Sequence, residues 1–138
     1  MLAKARSQGL ILMENLDNVG ALDQLPPTFG AMIAQELAQT RQGTAGALLL
    51  HSCVPVSEFS ESWPTGIQVQ IHGMDRDEFF LEDLPAAKEL SQRDEAELFL
   101  YPGDQHLFTD SSLGAYDPEA SALLISRVKE LLAHIPTN

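Results

Sequence analysis

Three short apolar runs constrain what this chain can fold into. They are "GALLLH" (46–51), "IQVQIH" (67–72) and "AELFLY" (96–101), each too short for a typical helix. The first is bounded by glycine and apolar almost throughout, as in a strand buried on both faces of a parallel sheet. The second alternates strictly, with Ile67, Val69 and Ile71 on one side, the period of a strand. Between the second and third runs, Asp83 can cap a helix that begins near Leu84, holds Pro85 in its first turn and runs to about Gln92. After the third run, Asp117 and Pro118 open a last helix whose buried stripe is Leu124, Val128, Leu131 and Ile135. Ahead of the first run, Thr28 serves as an N-cap, and Phe29, Ile33 and Leu37 recur at helical spacing until "RQG". The order helix, strand, strand, helix, strand, helix predicts an α/β fold with parallel crossovers and helices layered on a sheet.

Upstream of Phe29 the pattern predicts helices and no strand. Leu2 to Ser7 reads as a short helical stretch stopped near Gly9. Leu12, Leu16, Val19 and Leu22 recur as a second helix, which Pro26 and Pro27 bring to a close.

The 138 residues suffice for a single domain spanning 1–138. A formal charge of −12 with only 8 basic residues argues against nucleic acid, whose phosphates demand basic patches, and against anionic membrane surfaces. No apolar run approaches a membrane span. The N-terminus "MLAKARSQGLILMENLDNV" lacks the small-residue cleavage site of a signal peptide, and the single cysteine, Cys53, excludes an intrachain disulfide. A cytoplasmic setting is expected.

In parallel sheets, sites gather at the carboxyl ends of strands. The loop after the second run offers Asp75 and Asp77; the loop after the third offers Asp104, His106 and Asp110. An acid after one strand and a histidine after the next make the back half of a nucleophile–histidine–acid triad. The acid accepts from one ring nitrogen and so fixes the tautomer; the other nitrogen takes a proton from a serine or cysteine. A second chemistry stays open: His72, Asp75, Asp77, Asp104 and His106 are ligand types that suit a divalent cation, though their spacing matches no strong zinc signature. Trp63, with Phe59 nearby, either lines a ligand pocket or covers a core edge.

"VQIHGMDRDEFF", "AELFLYPGDQHLFTDSSLGAYD" and "AQELAQTRQGTAGALLLHSCVP" resemble the C-terminal half of the dienelactone hydrolase family, with a weaker likeness through the N-terminal helices. That resemblance implies a truncated α/β-hydrolase-like three-layer sandwich with about three parallel strands. It implies hydrolysis of small esters or lactones with no cofactor, His106 matching the family's histidine and Asp77 its acid better than Asp75. The family's nucleophile stands in a Gly-x-Cys/Ser-x-Gly elbow between a central strand and a helix. Here "LDQLPPTFG" stands in that place: Gly30 fits the last glycine, Thr28 falls at the nucleophile and Pro26 at the first glycine. The departure reads as a deletion of the central strand and elbow, with the family's earlier strands absent too. Thr28, Cys53 and Ser52 are the substitute nucleophiles to weigh. Their bland alternatives are a helix cap for Thr28 and core packing for Cys53.

In the family the central strand pairs with the segment matching "GALLLHS". Its loss would leave Ala47–His51 as an edge of unpaired backbone groups with no charge or proline to protect it. A second copy of the chain could cover that edge by isologous two-fold pairing, so a homodimer through Ala47–His51 is expected. The favoured expectation is a family member that keeps Asp77 and His106 and has weak or no hydrolase activity. An ester or lactone hydrolase with a substitute nucleophile, and a metal-dependent enzyme, are the alternatives.

Overall fold

The structure is a computed structural model that describes residues 10–13 and 29–135. The elements are β1 (Leu10–Met13), α1 (Phe29–Thr40), β2 (Gly46–Leu50), β3 (Gln68–Met74), α2 (Glu78–Leu90), β4 (Ala96–Tyr101) and α3 (Pro118–His134). A single 3-10 turn, Val56–Glu58, sits in the loop after β2. The four strands form one parallel sheet in the order β1-β2-β3-β4.

Two apolar clusters lie on opposite faces of the sheet. Leu48 and Leu50 of β2 meet Met74, Tyr101 and Phe108 under Leu124, Val128 and Leu131 of α3 and Ile135 at its C-cap. Ala47 and Leu49, two alternate positions on the other face, meet Val69 and Ile71 under α1 and α2. Helices on both faces make a three-layer α/β sandwich, and both faces of β2 are buried, as its unbroken apolar run implies. The expected stripe of α3 is buried at all four positions. Asp117 caps that helix by accepting from the Ala120 N–H at 3.0 Å, and Pro118 opens it.

Three expectations need correction. The first concerns the free edge. Leu10–Met13 is a strand, and it pairs with β2 in parallel, Ile11 opposite Ala47 and Met13 opposite Leu49. The chain here follows the local apolar run "LILM", in which Ile11 is β-branched, and not the helical spacing of Leu12 with Leu16. The edge proposed for dimerisation through Ala47–His51 is thus already occupied along Gly46–Leu49 by the chain's own backbone. Leu16, Val19, Leu22 and Thr28, with the helices expected around them, lie outside the described residues.

The second correction moves the start of α2. Asp77, not Asp83, is its N-cap, and its side chain accepts from the Phe79 N–H at 3.0 Å. Pro85 consequently lies inside the helix. It withdraws one N–H from the turn at Leu81, a residue that is 44% exposed. Asp83 faces inward instead. It accepts from the Ser52 hydroxyl at 2.7 Å and the Cys53 N–H at 3.2 Å, tying α2 to the loop after β2.

The third correction shifts the buried face of α1. Ala31, Ala34 and Ala38 are buried, whereas Ile33 and Leu37 lie half-buried on its flank. Small side chains let the helix approach the sheet closely. Gln35 and Gln39 share the buried side because they serve the loop: Gln35 bonds the Val54 backbone at both its N–H and its carbonyl, and Gln39 donates to the Val56 carbonyl and the Ser60 hydroxyl.

Candidate functional site

The loops that follow β3 and β4 are laced together. The Asp75 N–H donates to the Tyr101 carbonyl and the Arg76 N–H to the Gly103 carbonyl, each at 2.8 Å. The Asp75 carboxylate accepts the Gly103 N–H in return, at 3.0 Å. Gly103 has φ 148°, and a Cβ there would stand 2.6 Å from Met74 Sδ, so only glycine lets the two loops close up.

This lacing brings Asp77 to His106. His106 Nδ1 stands 2.6 Å from Asp77 Oδ2, a short contact of the charge-assisted kind. Asp77 is almost fully buried, and its other oxygen accepts the Phe79 N–H, so both lone-pair sides are fixed. A carboxylate only accepts, so Nδ1 carries the hydrogen and Nε2 keeps its lone pair. Nε2 is itself buried and has no hydrogen-bond partner among the described residues. Phe79, a 58% exposed residue, lays its ring against the imidazole at 4.9 Å between centroids.

Another imidazole adjoins this pair. His51, at the carboxyl end of β2, lies edge-on to His106 with ring centroids 5.5 Å apart and edge-on to Phe108 at 5.1 Å. Its Nε2 is 3.2 Å from the Thr109 hydroxyl, and its Nδ1 is buried with no partner among the described residues. Burial pushes its pKa down to about 3, with the neighbouring His106 adding to the effect, so the ring is neutral at ordinary pH. His51 also has φ 66°, in the left-handed region that a non-glycine residue seldom adopts; Leu107, next to His106, has φ 59°.

The residue composition, the fold and the order acid-then-histidine along the chain now stand together. The family model described as "Dienelactone hydrolase family" matches residues 28–136. The chain belongs to the dienelactone hydrolase family. The matched range takes in α1 through α3 and begins after β1. No curated protein matches the chain. A solved crystal structure of a "Putative Dienelactone Hydrolase" from Klebsiella pneumoniae subsp. pneumoniae MGH 78578 is similar in fold, with a TM-score of 0.58 at 18% identity. The likeness covers 77% of this chain and 49% of that one, so the chain matches about half the length of that neighbour.

Within this dienelactone hydrolase family member, the two substitute nucleophiles that can be seen are engaged elsewhere. The Ser52 hydroxyl donates to Asp83. Cys53 is buried in the core cluster that holds Trp63, and burial, with Asp83 beside it, pushes its thiol up to about 12. A thiol held protonated is a poor nucleophile. Thr28 lies outside the described residues. Trp63 is buried in the core cluster under α1 and α2, donates from its indole N–H to the Ile67 carbonyl at 2.7 Å, and borders a shallow pocket with Val56, Ala86 and Leu90.

The candidate metal ligands do not converge among the described residues. No group of three or more His, Cys, Asp or Glu among the described residues could hold a metal ion. His72 shows why: it is fully buried, with Nδ1 on the Tyr101 hydroxyl at 2.8 Å and Nε2 on Gln70 Oε1 at 3.0 Å, so neither ring nitrogen can serve as a ligand. Asp104 bonds Gln105 beside it. No helix among the described residues is long and apolar enough to cross a membrane.

Sequence reasoning missed His51 and Phe79. The histidine that ends the run "GALLLH" was a signal for the former, since a polar residue closing an apolar strand marks its carboxyl end. Nothing local signals its left-handed backbone.

Proposed function

We propose that His106 and Asp77 form the proton-transfer half of a hydrolytic site, that its ligands are small carboxylic esters or lactones, and that its turnover is weak. What carries this is the 2.6 Å contact between His106 Nδ1 and Asp77 Oδ2, which leaves the lone pair of Nε2 for a proton. Asp77 would orient the ring; His106 would accept the proton of the attacking group and pass it to the leaving alkoxide. Turnover is weak because Ser52 and Cys53 are committed to Asp83 and the core. A lone cysteine held as a free thiol suits a cytoplasmic setting.

A second version has an observation in its favour. β1 lies beside β2, where the family's central strand would run, and the chain leads from it to α1. Between Met13 and Phe29 the sequence holds one hydroxyl or thiol, that of Thr28. In that version Thr28 attacks the ester and carries the acyl group.

The test is p-nitrophenyl acetate turnover by the parent protein, His106→Ala and Thr28→Ala. The expected outcome is a slow rate above buffer that falls to background in His106→Ala, since general acid–base catalysis is worth roughly 10²–10⁴-fold. A parent rate equal to buffer, or one untouched by His106→Ala, removes the proposal. Loss of the rate in Thr28→Ala, with an initial burst in the parent, selects the second version.

A further inference from the structure

The local costs around His106 concentrate on its neighbour. His51 holds a left-handed backbone without being glycine, which costs on the order of 1–3 kcal/mol. It also buries a ring nitrogen with no partner among the described residues. A core-filling role needs neither cost. The same neighbourhood holds a second buried ring nitrogen of this kind, Nε2 of His106, on the imidazole that His51 touches.

We propose that His51 is a second functional histidine, and that with His106 it holds the water molecule that attacks the ester. This rests on the hydrolytic reading of His106 and Asp77 and supplies the attacking group that Ser52 and Cys53 do not. The hydrogen bonding is self-consistent. His51 Nε2 lies 3.2 Å from the Thr109 hydroxyl, and in the proposed arrangement that hydroxyl donates and Nδ1 carries the ring hydrogen of the neutral imidazole. Nδ1–H donates to the water oxygen, and the water donates to His106 Nε2. Ring centroids 5.5 Å apart are within the span of one oxygen bonded to a nitrogen of each. Room for the oxygen comes from Phe79, a more than half-exposed residue whose ring lies against His106 and is free to swing aside into solvent.

The step balances without any further reagent. The water oxygen bonds to the acyl carbon as its proton passes to His106 Nε2. The acyl–oxygen bond then breaks, and the same proton goes to the departing alkoxide. The products are a carboxylic acid and an alcohol, and no acyl group is attached to the protein.

Two substitutions separate this role from a structural one. His51→Gly suits the left-handed backbone and removes the ring; His51→Asn tolerates that backbone and keeps an N–H donor near the place of Nδ1. With p-nitrophenyl acetate, the expected result for His51→Gly is a loss of about tenfold to a hundredfold in kcat with KM little changed, since water and not the ester is what it mispositions. Its melting temperature should stay level or rise. His51→Asn should retain most of kcat, and intact-mass measurement of acid-quenched protein should find no acylated species. A His51→Gly protein that turns over like its parent while His106→Ala does not overturns this inference and leaves the hydrolytic reading standing. So does an acylated parent protein. A parent rate that never exceeds buffer overturns both.

Discussion

Asp77 joins two tasks in one carboxylate. One oxygen caps α2 through the Phe79 N–H, and the other holds His106. Asp77→Asn keeps an oxygen for the cap but offers an N–H to a ring nitrogen that already donates, so His106 must adopt the other tautomer or turn. The expectation is ester turnover as low as in His106→Ala, with a loss of thermal stability smaller than that of Asp77→Ala. Gly73 is a different kind of residue. A Cβ at this position would run into the Phe80 ring, one of the largest fully buried side chains. Gly73→Ala should therefore destabilise by about 1–3 kcal/mol through overpacking, measured by urea unfolding.

The buried histidines set a pH dependence of stability. Burial lowers both His51 and His72 from 6.5 to about 3, with smaller contributions from His106 for the first and from Arg127 for the second. Between these values the unfolded chain binds a proton that the folded chain refuses. Stability is therefore full above about pH 6.5 and is lost as pH falls toward 3. Going from pH 6.5 to pH 5 should cost about 2 kcal/mol per histidine. Urea midpoints measured across that range should fall with acid, and they should fall less steeply in His72→Gln, which titrates one group fewer.

Among the elements, β1 has the largest consequence for its size. Four residues of backbone cover the β2 strand whose side chains build both cores. In a parallel pair only alternate N–H groups face a given neighbour, so one of Ile11 and Leu12 must donate toward β2. The double substitution Ile11→Pro with Leu12→Pro removes that donor whichever it is. Each unmade buried backbone bond costs about 1–3 kcal/mol. The variant should lose stability and, with Gly46–Leu49 exposed as an edge, should run at a larger mass than its parent in size-exclusion chromatography with light scattering. An unchanged mass and midpoint would mean that β1 contributes nothing to the sheet.

Taken whole, the molecule shows how much of a site can be read locally. The strands at 46–50, 68–74 and 96–101, the cap and stripe of α3 and the parallel three-layer architecture all follow from runs, periods and turn residues a few positions apart. The pairing of an acid after β3 with a histidine after β4 was legible too, because chain order and sheet order coincide there. The strand at Leu10–Met13 was not, because four residues carry too little periodicity to compete with a helical spacing that runs past them. Asp83 looked like a cap for the same local reason, and only the position of Ser52 across the fold turns it inward.

What the sequence by itself determined is the set of elements and the chemistry available at the strand ends, since both depend on neighbours along the chain. Beyond the pairing of Asp77 with His106, tertiary structure alone decided which groups meet. It put β1 against β2, sealed Cys53 and Ser52 away from His106's chemistry, and set His51 edge-on to His106 in a strained backbone. The contact between His51 and His106, 55 positions apart, depends on packing, which no local pattern encodes.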